Sequence, residues 1–119
     1  MNYRPPPEVP KWALTLLNNL YEAERKIEQK GDSAHIKRNL ERMKDALSSE
    51  GLFYEDPVGQ SFNETRTDLE ASIVGENTEN LIVTEVMKPI IRHGETAYSR
   101  VVQKGIVLVQ SKLGDKADD

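Results

Sequence analysis

Residues 36–54 read IKRNLERMKDALSSEGLFY, and within this stretch the apolar repeat changes its period. Ile36, Leu40, Met43 and Leu47 stand 4, 3 and 4 residues apart, the seam of an amphipathic helix with coiled-coil-like spacing. Gly51 stops that helix, because glycine accepts the left-handed backbone that closes a last turn. After Gly51 the chain reads in twos and in turn residues, starting with Leu52, Phe53 and Tyr54. A helical half followed by a half of short strands makes the fold class α+β.

Upstream, Ala13, Leu16, Leu17, Leu20, Tyr21, Ala23 and Ile27 recur every three or four residues, so Lys11 to Lys30 reads as a first helix. Pro10 is tolerated at a first turn, where its missing N–H costs nothing, and Gly31 stands where a C-terminal cap belongs. Asp32 and Ser33 offer N-cap oxygens for a second helix reaching about Glu50, which puts His35 on that helix. Two helices of about 18–20 residues with a short connection make an antiparallel hairpin over residues 11–51. Each apolar stripe is broader than a single neighbouring helix covers. Leu17, Leu20, Ile36, Leu40, Met43 and Leu47 are therefore expected to pair two hairpins into a dimeric four-helix bundle. Residues 1–10, with Pro5, Pro6, Pro7 and Pro10, form a proline-rich lead-in that favours extended backbone.

Residues 52–110 read as a small antiparallel β-domain. Asp56, Pro57 and Gly59 mark a turn, and Leu69 to Val74 a short strand. Leu81, Ile82, Val83, Val86 and Met87 form a strong strand that Pro89 interrupts, as at an edge or a bulge. His93-Gly94-Glu95-Thr96 is a hairpin turn. Tyr98 to Val102 and Ile106 to Val109 return from it, with Gly105 as a bulge. Residues 111–119 are a polar, acidic tail expected to be disordered.

Composition narrows the function. The 119 residues are 37% hydrophobic and 30% charged, with net charge −4 and a pI of about 5.3. A dedicated nucleic-acid binder shows a basic excess, and this chain shows none. Absence of cysteine excludes disulfides, thiolate chemistry and cysteine-based zinc sites. No apolar run approaches the ~18 residues of a membrane span, and the first residues lack a signal-peptide core, so the expected location is cytoplasmic. There is no phosphate-binding loop, no dinucleotide fingerprint and no H-E-x-x-H, and Glu55-Asp56 is a loop carboxylate pair rather than a catalytic one. His35 and His93 read as surface histidines. The expectation is a protein without enzymatic chemistry, catalytic residues, metal or cofactor.

Five blocks, in order, resemble the GrpE family, nucleotide exchange factors of DnaK-type chaperones. They are Leu14-Thr15-Leu16-Leu17-Asn18-Asn19-Leu20, Pro57-Val58-Gly59-Gln60-Ser61-Phe62-Asn63, Leu69-Glu70-Ala71, Val83-Thr84-Glu85-Val86-Met87 and the run from Arg100 to Val109. The likeness spans about residues 12–110. The family's long N-terminal stalk helix is mostly replaced here by the proline-rich lead-in, and Gln103 stands where the family has arginine. The resemblance implies a homodimer whose β-domains lean on a lobe of the chaperone ATPase domain and promote ADP release. It implies that Met87 and Arg100 face the chaperone, with His35 on the bundle surface near the same interface. The alternative is a binding or assembly module of GrpE-like shape without the exchange role.

Overall fold

The structure, a computed structural model, describes residues 9–95 and 97–113. Pro5, Pro6 and Pro7 of the lead-in, Thr96 of the turn and the tail from residue 114 lie outside the described residues.

Helix α1 spans Lys11–Lys30 and starts directly after Pro10, whose carbonyl accepts the Ala13 N–H at 3.0 Å. It ends where Gly31 turns to φ 88° and donates its N–H to the Ile27 carbonyl at 2.7 Å. Helix α2 spans Lys37–Ser49 and begins later than the sequence suggests. His35 takes a φ of 56°, a left-handed conformation that no helix propagates through, so helical backbone starts only beyond it. His35 is thus an exposed turn residue and not a helical one. Asp32 caps from a distance, its carboxylate accepting the N–H groups of Ile36 at 2.7 Å and Lys37 at 3.1 Å.

Among the described residues six strands follow: β1 (Leu52–Glu55), β2 (Leu69–Ile73), β3 (Leu81–Lys88), β4 (Ile90–His93), β5 (Arg100–Gln103) and β6 (Gly105–Ser111). They form two three-stranded sheets, ordered β1-β4-β5 and β2-β6-β3. The first is antiparallel throughout. In the second, β3 runs antiparallel to β6 while β2 runs parallel to it, which corrects the expectation of a wholly antiparallel domain. Parallel neighbours need a long connection between them, and here β3, β4 and β5 provide it.

The chain changes sheet between β1 and β2, then at Pro89, between β3 and β4, and again at Lys104, between β5 and β6. Proline cannot donate to a ladder, so Pro89 is a natural place to leave one. Gly105 opens β6 instead of forming a bulge. A Cβ there would lie 2.8 Å from Leu69 Cδ2 and 3.0 Å from Ile90 Cγ1, so the crossing at Lys104 passes too close to the one at Pro89 to admit a side chain.

Two apolar clusters hold these elements together. One joins Tyr21 to Leu69, Leu81, Val83, Val86, Ile90, Val107 and Val109, with Val101 packed against it. The other joins Ala13 and Leu17 to Leu52 and Ile91, with Leu47 and Val102 alongside. Helix α1 contributes to both, so the inner half of its stripe lies against the strands. Trp12 and Leu16, on the outer half, stay exposed. Among the described residues no helix is long and apolar enough to cross a membrane.

Candidate functional site

A polar arrangement of side chains from three elements lies where α1, α2 and β1 meet. Tyr21, Glu24, Arg25 and Glu28 share one face of α1 because residues three and four apart align on a helix. Tyr54 of β1 meets this face, its ring edge-on to Tyr21 with centroids 5.7 Å apart and planes at 80°. The Tyr54 hydroxyl donates to the Glu24 carboxylate. Lys44 of α2 reaches the other oxygen of Glu24 at 3.1 Å and lies over the Tyr54 ring, 5.0 Å from its centre. Arg25 stands over Tyr21, 5.4 Å from the ring centre, and donates to the Val86 carbonyl at 2.8 Å.

Burial pushes the Tyr54 phenol well above its ordinary range, and the hydrogen bond to anionic Glu24 pushes in the same direction. Burial, with the Asp56 charge added, pushes Tyr21 up to about 12, although Arg25 opposes the shift. Both phenols are neutral at physiological pH, so neither serves as a base or a nucleophile there. The carboxylate of Glu24 is held by two partners, Lys44 and Tyr54. These side chains offer hydrogen bonds and charges of both signs.

A hollow of about 330 Å³ opens over this group, bordered also by Lys37 and Asp56. A second, of about 270 Å³, shares Tyr21, Arg25, Glu28 and Asp56 and runs on to Glu85 and Val86. A third, of about 190 Å³, lies between Met87 and Glu22, Arg25, Lys26 and Gln29 of α1. Together they line the helix from its junction with α2 to the end of β3. Cations and anions alternate along it, which suits a polar protein surface more than an enclosed small molecule.

A separate network ties the turn region to the sheets. Arg66 clamps Asp68 with two bonds of 3.0 and 2.9 Å, and Arg92 bonds Glu55 at 2.8 Å while approaching Asp68 to 3.7 Å. The paired Arg66 guanidinium holds the Asp68 carboxyl below the usual carboxylate range. Among the described residues, no group of three or more His, Asp or Glu is arranged to hold a metal ion.

The residues singled out from sequence fall at different places. Met87 is 42% exposed at the hollow beside α1. Arg100 opens β5, half-buried and opposite His93 in the first sheet. His35 is in the turn between the helices. No hollow or hydrogen bond described above joins the three. Of the six residues expected at a helical interface, Leu17, Leu20 and Leu40 are buried within the chain and Leu47 is half-buried. Ile36 and Met43 remain open, Met43 with 48% of its surface exposed. The Tyr21–Tyr54–Glu24–Lys44 group had no local signature, since Tyr54 lies 30 residues beyond Glu24 and meets it only through the return of β1.

Comparison with known proteins finds no matching family model, no matching curated protein and no matching solved structure.

Proposed function

We propose that this chain is a GrpE-like co-chaperone module, a cytoplasmic homodimer that binds the ATPase domain of a DnaK-type chaperone and promotes release of ADP. The reading rests on the ordered sequence blocks from Leu14 to Val109 and their resemblance to that family. The structural observation that supports it best is the exposure of Met87 at the rim of a mixed-charge hollow on α1. An exposed methionine among charges of both signs is suited to docking of a partner protein.

The physics required is linkage. A protein that binds the open state of a two-lobed ATPase more tightly than the closed state weakens nucleotide binding, and nucleotide weakens its binding by the same factor. In this proposal the antiparallel helical hairpin pairs with a second copy along the outer stripe of Trp12, Leu16, Ile36 and Met43, all exposed in the single chain. Such pairing removes apolar surface that one chain leaves in water.

The second reading, a binding or assembly module without exchange activity, is favoured by the narrowness of that stripe once Leu17, Leu20 and Leu40 are buried internally. Release of labelled ADP from a DnaK-type chaperone separates the two. Acceleration by this chain supports exchange. Binding without acceleration leaves the assembly module.

A further inference from the structure

The second sheet has an open edge. The outer side of β3 is lined by residues 59–62: Gly59 N–H donates to the Val83 carbonyl at 2.8 Å, Val83 N–H to Gln60 at 2.9 Å and Phe62 N–H to Leu81 at 2.9 Å. In the first sheet the outer strands β1 and β5 pack against α2 and α1. Among the described residues, no helix packs against strand β2 in this way. Its parallel ladder to β6 includes the Asp68 carbonyl, accepting Gly105 N–H at 2.9 Å, and the Val74 N–H, donating to Val109 at 2.8 Å. Backbone groups alternate sides along a parallel-paired strand, so Glu70 and Ser72 face β6 while Leu69, Ala71 and Ile73 face outward. Among the described residues, no hydrogen bond described above reaches those outward N–H and C=O groups.

Edge strands are normally blunted by charged side chains, lysine above all, by proline or by a bulge. The stretch Leu69-Glu70-Ala71-Ser72-Ile73 has no proline, lysine or bulge and one charge, Glu70, and Ile73 is 45% exposed at its end. We propose that this edge pairs with β2 of a second copy, antiparallel across a two-fold axis at Ala71. The strand is self-complementary in that register. Leu69 meets the partner's Ile73, Ala71 meets the partner's Ala71, and every outward N–H finds an outward carbonyl. Glu70 stands opposite the partner's Ser72, in the close, non-hydrogen-bonded type of pair where like charges cost most. Centring the axis on Glu70 instead would oppose two carboxylates and leave Ile73 without an outward-facing partner. The product is one continuous six-stranded sheet. No helix takes part, so this interface stands or falls apart from the helix pairing proposed above.

Sedimentation velocity across a concentration series tests it with three variants. Ala71→Pro removes an outward N–H and leaves the β6 ladder intact, so one association step is lost. Ser72→Lys sets an opposite charge against each Glu70 and tightens the step by about two- to thirtyfold, while Ser72→Glu weakens it by a similar factor. If the helices also pair, wild type exceeds a dimer and Ala71→Pro returns it to one. If they do not, wild type is a dimer and Ala71→Pro is a monomer. Should Ala71→Pro fail to fold, the Ser72 pair carries the test, because that side chain is exposed. Association unchanged by all folded variants overturns the proposal. So does slow hydrogen exchange at Ala71 in a monomeric sample, which would mean that the same chain covers the edge.

Discussion

The side-chain amides of Asn18 and Gln103 hydrogen-bond each other in both directions. Asn18 Nδ2 donates to Gln103 Oε1 at 3.1 Å, and Gln103 Nε2 donates to Asn18 Oδ1 at 3.0 Å. Gln103 Nε2 also donates to the Pro89 carbonyl at 3.1 Å. One glutamine therefore ties α1 both to the end of β5 and to the point where the chain leaves β3. Together with Ala13 and Leu17 in a cluster shared with Leu52 and Ile91, it fastens the helix to the strands.

Removing one side of this pair strands the other in a partly buried site. Asn18→Ala or Gln103→Ala is expected to cost about 1–3 kcal/mol, the range for an unsatisfied polar group. The double variant should cost less than the sum of the singles by about 0.5–1.5 kcal/mol. Urea unfolding of the four proteins gives the coupling; simple additivity would mean that the two amides act independently.

Gly105 is fixed by the space it leaves. In Gly105→Ala the new methyl meets Leu69 and Ile90 side-chain carbons at 2.8 and 3.0 Å and the Lys88 carbonyl at 3.4 Å. Overpacking of this kind costs about 1–3 kcal/mol, and thermal unfolding should show a lowered Tm. A melting temperature equal to wild type would mean that the crossings at Pro89 and Lys104 are less closely packed than the structure has them.

Much of this fold was legible in the sequence. Proline and glycine fix backbone geometry locally, which is why the bounds of α1 follow from Pro10 and Gly31 and the break after β3 from Pro89. The parallel pairing of β2 with β6 was not legible, because strand partners more than thirty residues apart leave no local mark. The left-handed turn at His35 was missed because a capping aspartate normally stands next to its helix, and Asp32 instead reaches over three intervening residues. Of the site, Met87 was visible as a strand residue. The Tyr21–Tyr54 contact depends on tertiary approach and could not be read in advance.

Alkaline pH acts on two phenols, those of buried Tyr21 and half-buried Tyr54. Their folded pKa values are raised above the ordinary value of 10.0, so the folded chain holds its protons longer than the unfolded chain. Stability from these groups is complete below pH 10 and is lost as pH rises, over the window up to about 12 for Tyr21. Tyr54→Phe should reduce the dependence of unfolding free energy on pH above 10. An undiminished slope would place the proton linkage elsewhere.

The proposed helical interface is tested by Met43→Asp. Its side chain is 48% exposed in the single chain, so the variant should fold with a stability within about 0.5 kcal/mol of wild type. In a hairpin dimer the buried carboxylate weakens association by several kcal/mol unless it escapes to water. Equilibrium sedimentation on an Ala71→Pro background isolates this contact. Association unchanged by Met43→Asp would remove the outer stripe from the account.

Arg100, opposite His93 in the first sheet and away from the Met87 hollow, tests the chaperone-facing role that the resemblance gives it. If Arg100 makes a charge-assisted hydrogen bond in the proposed complex, losing it costs about 1.5–3 kcal/mol, or about ten- to a hundredfold in affinity. Arg100→Ala should weaken binding by that factor, measured by calorimetric titration into the ATPase domain, while circular dichroism stays unchanged. Equal affinity would take Arg100 off the interface.

Stopped-flow release of a fluorescent ADP from a DnaK-type chaperone decides whether the proposed exchange occurs. This chain is expected to accelerate release, excess ADP to compete with its binding, and Arg100→Ala to shift the concentration required upward by the factor above. A release rate identical with and without saturating chain, or binding indifferent to ADP, would contradict it.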